Sequence, residues 1–144
     1  MGELDFENVV FGYGGNALFN GLSASFAKEQ ISCIVGPNGC GKSTLAKLAM
    51  GLIKPASGRV LIQGRDVASL NPRERARRLG VLVQQQEAPM MTVRELAACG
   101  RFPHHGPLSR LDETDAQCID ETLSLAGVYD LRDRPLRSLS GGQR

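Results

Sequence analysis

Residues 3–10 alternate in character, with Leu4, Phe6, Asn8 and Val10 on one side and Glu3, Asp5, Glu7 and Val9 on the other. A period of two predicts a half-exposed β-strand. Leu22, Ala24 and Phe26 alternate with Ser23 and Ser25, which predicts a second strand, antiparallel and at a sheet edge. Residues 30–35 are different: Ile31, Cys33, Ile34 and Val35 form an almost continuous apolar run closed by Gly36, the signature of a short buried strand. Beyond it, Leu45, Leu48, Ala49 and Leu52 recur at helical spacing, and Gly51 and Pro55 supply the stop.

The same pattern continues. Residues 59–64 read as a strand ending on a glycine, and residues 80–83 as a second strand of the buried type. Asn71 and Pro72 open a helix as N-cap and first helical residue. Thr92 with Glu95 three residues later makes a capping box for another. Residues 101–110, with two prolines, Gly106, His104 and His105, read as a loop. Residues 112–126 form a helix with an acidic first turn and Ile119, Leu123 and Ala126 on one face. Short strands interleaved with helices predict an α/β fold.

The 144 residues suffice for one domain with a real core. Apolar residues make up 42% and charged ones 22%, an ordinary globular composition. The net charge of +2 gives no argument for nucleic acid as a partner. No apolar run approaches a bilayer span and no signal peptide is visible, so a cytosolic or peripherally docked chain is expected. Arg73, Arg75, Arg77 and Arg78 read as a solvated helix face. His104 and His105 have no third ligand nearby and read as loop residues rather than a metal site. Among Cys33, Cys40, Cys99 and Cys118 no pair has metal or redox-motif spacing. Cys33 belongs to the predicted buried strand.

The chemistry concentrates between strand and helix. Gly36-Pro37-Asn38-Gly39-Cys40-Gly41-Lys42-Ser43-Thr44 reads G-x-x-x-x-G-K-S. This is a phosphate-binding loop, and a preceding strand and following helix are the context it requires. Glycines let the backbone curl without Cβ clashes, and successive N–H groups form an anion nest. The helix start adds unpaired N–H groups and the positive end of its dipole. Lys42 is expected to reach the terminal phosphates and Ser43 to ligate Mg²⁺. Cys40 lies inside the loop, where a helix N-terminus favours the reactive thiolate, so it is expected to alkylate fastest and to be protected by nucleotide. Tyr13 stands in a turn ahead of this loop. It is either an ordinary surface or core tyrosine or a platform for a nucleotide base. Gln84-Gln85-Gln86 follow an apolar run where ligands gather at strand ends. Leu139-Ser140-Gly141-Gly142-Gln143 is either a Gly-Gly turn or a second small-residue anion site.

A phosphate loop together with Leu-Ser-Gly-Gly-Gln resembles the ATP-binding subunits of ABC transporters along the whole chain. The order is similar too: aromatic loop at Tyr13, phosphate loop at residues 36–44, glutamine loop at Gln84, signature at residues 139–143. Thr92-Val93-Arg94-Glu95-Leu96 and Gly100-Arg101-Phe102-Pro103 look most like importers of iron–siderophore, haem or cobalamin. The resemblance implies a P-loop NTPase core of the ABC ATPase type, residues 1–84, with an antiparallel β edge. A helical subdomain, residues 85–144, would end in the signature. It implies ATP and Mg²⁺ as ligands. Tyr13 would stack on adenine. Gly36, Asn38, Gly39, Cys40, Gly41, Lys42, Ser43 and Thr44 would hold phosphates and metal, and Gln84 would sense the γ-phosphate and metal. Ser140, Gly141, Gly142 and Gln143 would contact ATP on a second subunit in a head-to-tail dimer. Transmembrane permease subunits would be the other partners, and the cytoplasmic face of the membrane the location.

The departure from the family lies after Arg144. The resemblance would place the Walker B aspartate, the catalytic glutamate and the switch histidine there, so the C-terminal part of the domain is expected to be absent. No meaningful turnover is then expected from this polypeptide, because phosphoryl transfer needs the water and the charge around Mg²⁺ to be organised. Loss of the neighbouring strand is also expected to leave residues 31–35 with an unpaired edge, which self-association or strand exchange would cover.

Overall fold

The computed structural model describes residues 2–82, 88–105 and 110–140. The chain forms two compact units, Met1–Val81 and Leu82–Arg144.

In the first unit, β1 (Leu4–Tyr13) and β2 (Asn16–Phe26) form a hairpin. Its turn is Gly14-Gly15, with φ of 57° and 87°. Both turn residues need positive φ here, which glycine adopts without strain. β3 (Ser57–Ile62) pairs with the other side of β1, and β4 (Arg65–Asp66) pairs with β3. All ladders are antiparallel, in the order β2-β1-β3-β4 among the described residues.

The alternation of β1 does not run through. A register shift lies between Phe6 and Val9, and Asn8 sits at φ 49°. The bulge changes the phase, so Phe6, Val9 and Phe11 all turn inward, while Val10 stays only half-buried. A strict period of two cannot reveal such an insertion.

Helix α1 (Lys42–Ala49) lies against this sheet and buries Leu45, Leu48 and Ala49 among Phe6, Val9, Phe11, Val60, Ile62 and Val67. Burial of Leu48 alone contributes about 1.5–3 kcal/mol of transfer free energy. Gly51, at φ 64°, ends the helix, and Leu52 is left exposed rather than continuing the apolar stripe. α2 (Pro72–Ala76) starts as expected at Asn71 and Pro72, and its capping box is completed by Glu74.

Residues 31–35 differ from the buried strand predicted for them. They form no ladder among the described residues, and Ile31, Cys33, Ile34 and Val35 are all exposed. A buried strand exists only between neighbours that satisfy its N–H and C=O groups. No described segment of this unit offers that pairing. Val81 and Leu82 likewise form no strand and are exposed, and Val83 lies outside the described residues.

The second unit carries α3 (Val93–Cys99) and α4 (Glu113–Leu125). Thr92 and Glu95 make both bonds of their capping box, and Asp112 and Asp115 make another at the start of α4. Val93, Ile119, Leu123, Leu136 and Leu139 form its core. No helix among the described residues is long and apolar enough to cross a membrane.

Candidate functional site

The loop 36–41 turns at Asn38 and Gly39 and enters α1 through Gly41. Gly39 has φ 82° and Gly41 φ 101°, both in the left-handed region. At Gly41 space is restricted as well. A Cβ there would lie 2.7 Å from Cζ of Phe19, 2.8 Å from its Cε1 and 3.2 Å from Cδ2 of Leu18. Only glycine meets both demands at once.

Gly41 occupies the N-cap of α1 without a side-chain cap, and no acidic residue stands in the first turn. The N–H groups that open a helix have no intrahelical partner. Together with the positive dipole end they make this helix start an anion-binding surface. The Lys42 ammonium folds back over the loop. It donates to Gly36 O and Pro37 O, each at 2.8 Å, and approaches Cys40 Sγ at 3.8 Å. The lysine charge is thus held against the loop backbone by two neutral carbonyl acceptors. Ser43 is exposed, and Thr44 is buried. Asn38 and Cys40 are exposed.

Tyr13 ends β1 and is 51% exposed. Its ring meets Phe11 edge-on, with centroids 4.9 Å apart at 88°. The contact with the buried Phe11 holds the ring on one side, and about half of the residue stays open to solvent.

In the second unit, Leu139 is buried in the core, and the exposed Ser140 follows it. The leucine anchors the start of the signature stretch. Gly141, Gly142 and Gln143 lie outside the described residues, as does Gln84.

One charged cluster escaped the sequence reading. Asp115 is 1% exposed. It accepts from Arg101 Nε at 2.7 Å and from the backbone N–H of Asp112 at 2.9 Å, and His105 Nε2 lies 2.8 Å away. The Asp112 N–H, then Arg101 and His105, hold its carboxyl well below the usual carboxylate range. His105, expected as a solvated loop residue, is instead tied to α4. Asp115 was legible as part of an acidic first turn; its capping box and the convergence of Arg101 and His105 on it were not, the latter because it depends on how the residues after α3 fold back. Among the described residues no group of three metal-ligating side chains forms.

The family model for ABC transporters matches residues 19–144. The chain belongs to the ABC transporter family. Its α/β architecture is that of the family's ATP-binding cassettes. A nucleotide-free ATP-binding cassette from an ABC transporter superposes with a TM-score of 0.80 at 32% identity, over 99% of this chain and 61% of that one. The iron(3+)-hydroxamate import ATP-binding protein FhuC of Bacillus subtilis is 36% identical over 145 residues, 100% of this chain and 54% of the relative. The ferric enterobactin transport ATP-binding protein FepC of Escherichia coli K12 is 36% identical over 139 residues, 96% of this chain and 51% of the relative. This ABC transporter chain thus spans about half the length of the curated relatives it matches.

Proposed function

We propose that this chain is the nucleotide-binding part of the ATP-binding subunit of an iron–siderophore importer. The observation that carries the reading is the loop 36–41 at the uncapped start of α1, with the Lys42 ammonium lying over it. The similarity to FhuC and FepC supports the cargo class.

In this reading the backbone amides of Gly36, Asn38, Gly39, Cys40 and Gly41 hold the β- and γ-phosphates of ATP. Lys42 exchanges its two carbonyl acceptors for phosphate oxygens, a stronger charge-assisted partner. Ser43 and Thr44 stand at the helix start; the exposed Ser43 hydroxyl fits the oxygen-donor preference of Mg²⁺. When bound, Mg²⁺ supplies charge neutralisation across the phosphates. Tyr13 offers its exposed ring to adenine. Gln84 reports the state of the γ-phosphate to a membrane permease. Ser140, Gly141, Gly142 and Gln143 serve the ATP of a second subunit, head to tail, on the cytoplasmic face of the membrane. In this reading the 144-residue polypeptide on its own binds nucleotide without turning it over.

Calorimetry on the purified chain tests this. Saturable, Mg²⁺-dependent ATP binding is expected, and Lys42→Ala should weaken it by about tenfold or more, the scale of a lost charge-assisted contact. No phosphate should be released. Absence of binding, or an unaltered affinity in Lys42→Ala, would remove the phosphate-site reading; sustained phosphate release would remove the claim of a non-hydrolysing polypeptide.

A further inference from the structure

The two ends of the nucleotide site described above are linked through neighbouring positions of the β1–β2 hairpin. Phe11 and Tyr13 stand two residues apart on β1 with their rings in edge contact. Directly across the ladder from Phe11 is Phe19 of β2. Opposed residues of an antiparallel pair project to the same face with their Cβ atoms about 5 Å apart. Phe19 packs against the core cluster that contains Phe11 and Leu45. Its ring also occupies the space a Cβ on Gly41 would take, 2.7 Å from Cζ, at the point where the loop becomes α1.

Tyr13 thus meets Phe11, Phe11 lies opposite Phe19 in the ladder and in the core cluster that Phe19 packs against, and Phe19 stands against the start of α1 at Gly41. Leu18 of β2 also approaches this point, its Cδ2 3.2 Å from the same Cβ position. Residues 31–40 are exposed, and no side-chain cap holds the helix start. We propose that Phe19 is a positioning residue for nucleotide: its ring is the spacer that sets the distance between the base platform at Tyr13 and the phosphate loop at Gly41. ATP has a limited reach from base to phosphates, so a spacing fixed in advance lowers the ordering cost of binding both ends at once. This inference rests on the nucleotide reading of the site.

The test compares two ligands on the full 144-residue chain by calorimetry: MgATP, which spans both ends, and Mg–tripolyphosphate, which engages only the loop. The variants are Phe19→Ala, Phe19→Leu and, as a control for loss of core volume, Val60→Ala, in the same cluster and 3% exposed. Phe19→Ala should lose about tenfold in MgATP affinity and clearly less for tripolyphosphate, since misplacement of about 1 Å is enough for such losses. Phe19→Leu should fall between it and the parent, and Val60→Ala should keep the parent ratio of the two affinities. If Phe19→Ala loses both ligands equally, or loses no more than Val60→Ala, Phe19 is merely a core residue. Should Phe19→Ala fail to fold, Phe19→Leu decides, and an unchanged ratio there overturns the proposal. A parent chain that binds neither ligand overturns the nucleotide reading itself, and with it this inference; a parent that binds while the Phe19 variants behave like the parent overturns the inference alone.

Discussion

Cys40 lies in the exposed loop with its sulfur 3.8 Å from the Lys42 ammonium. A Cβ on Gly36 would come within 2.7 Å of that sulfur, so thiol and loop entrance are closely apposed. On the proposed placement, a phosphate gathered by the loop amides would cover Cys40. Cys99, at the end of α3 and also exposed, has no such neighbour in the proposed site. Alkylation followed by peptide mass spectrometry should show Cys40 labelling slowed by MgATP and Cys99 labelling unchanged. Equal rates at Cys40 with and without nucleotide would contradict the placement of the phosphates.

The elements owe their starts to local chemistry and their positions to burial. Asn71, Thr92 and Asp112 each cap a helix with a side-chain acceptor, and Glu74, Glu95 and Asp115 answer from the third helical position. Asp115 does more, because it also ties the residues after α3 to α4 through Arg101 and His105. Its carboxyl lies below its ordinary value in the folded chain, so the ionised form is the stabilising one. That contribution is complete above the unfolded aspartate value of about 3.9 and is lost as the pH falls further below it. Protection of the α4 amides, taken relative to their intrinsic exchange rate at each pH, should therefore fall on acidification below about pH 4. In Asp115→Asn, protection should already be low at neutral pH and should show a smaller acid dependence. An acid response of α4 identical in parent and variant would disprove the tie.

Taken as a whole, the molecule presents apolar groups to water where globular chains seldom do. Ile31 is 102% exposed, Val35 84% and Leu82 100%. Residues 31–35 also carry backbone N–H and C=O groups without a ladder among the described residues. Such a segment is a template for pairing with another chain. The isolated 144-residue chain should self-associate and bind a hydrophobic dye, and Ile31→Lys with Val35→Lys should reduce both. A strictly monomeric parent by light scattering, with no dye response, would show that this surface is covered in another way.

The sequence by itself determined the parts whose physics is local. The glycine spacing before Lys42, the caps at Asn71 and Thr92 and the helical stripe of Leu45, Leu48 and Ala49 each depend on residues within a few positions of one another. Only the tertiary structure decided the bulge at Asn8, the exposure of residues 31–35, the convergence of Arg101 and His105 on Asp115 and the seat of Gly41 on Phe19. Each of these depends on which distant segment comes alongside. A strand is a strand only when a partner takes its hydrogen bonds, and an aspartate ion is kept inside only when donors from elsewhere arrive to meet it.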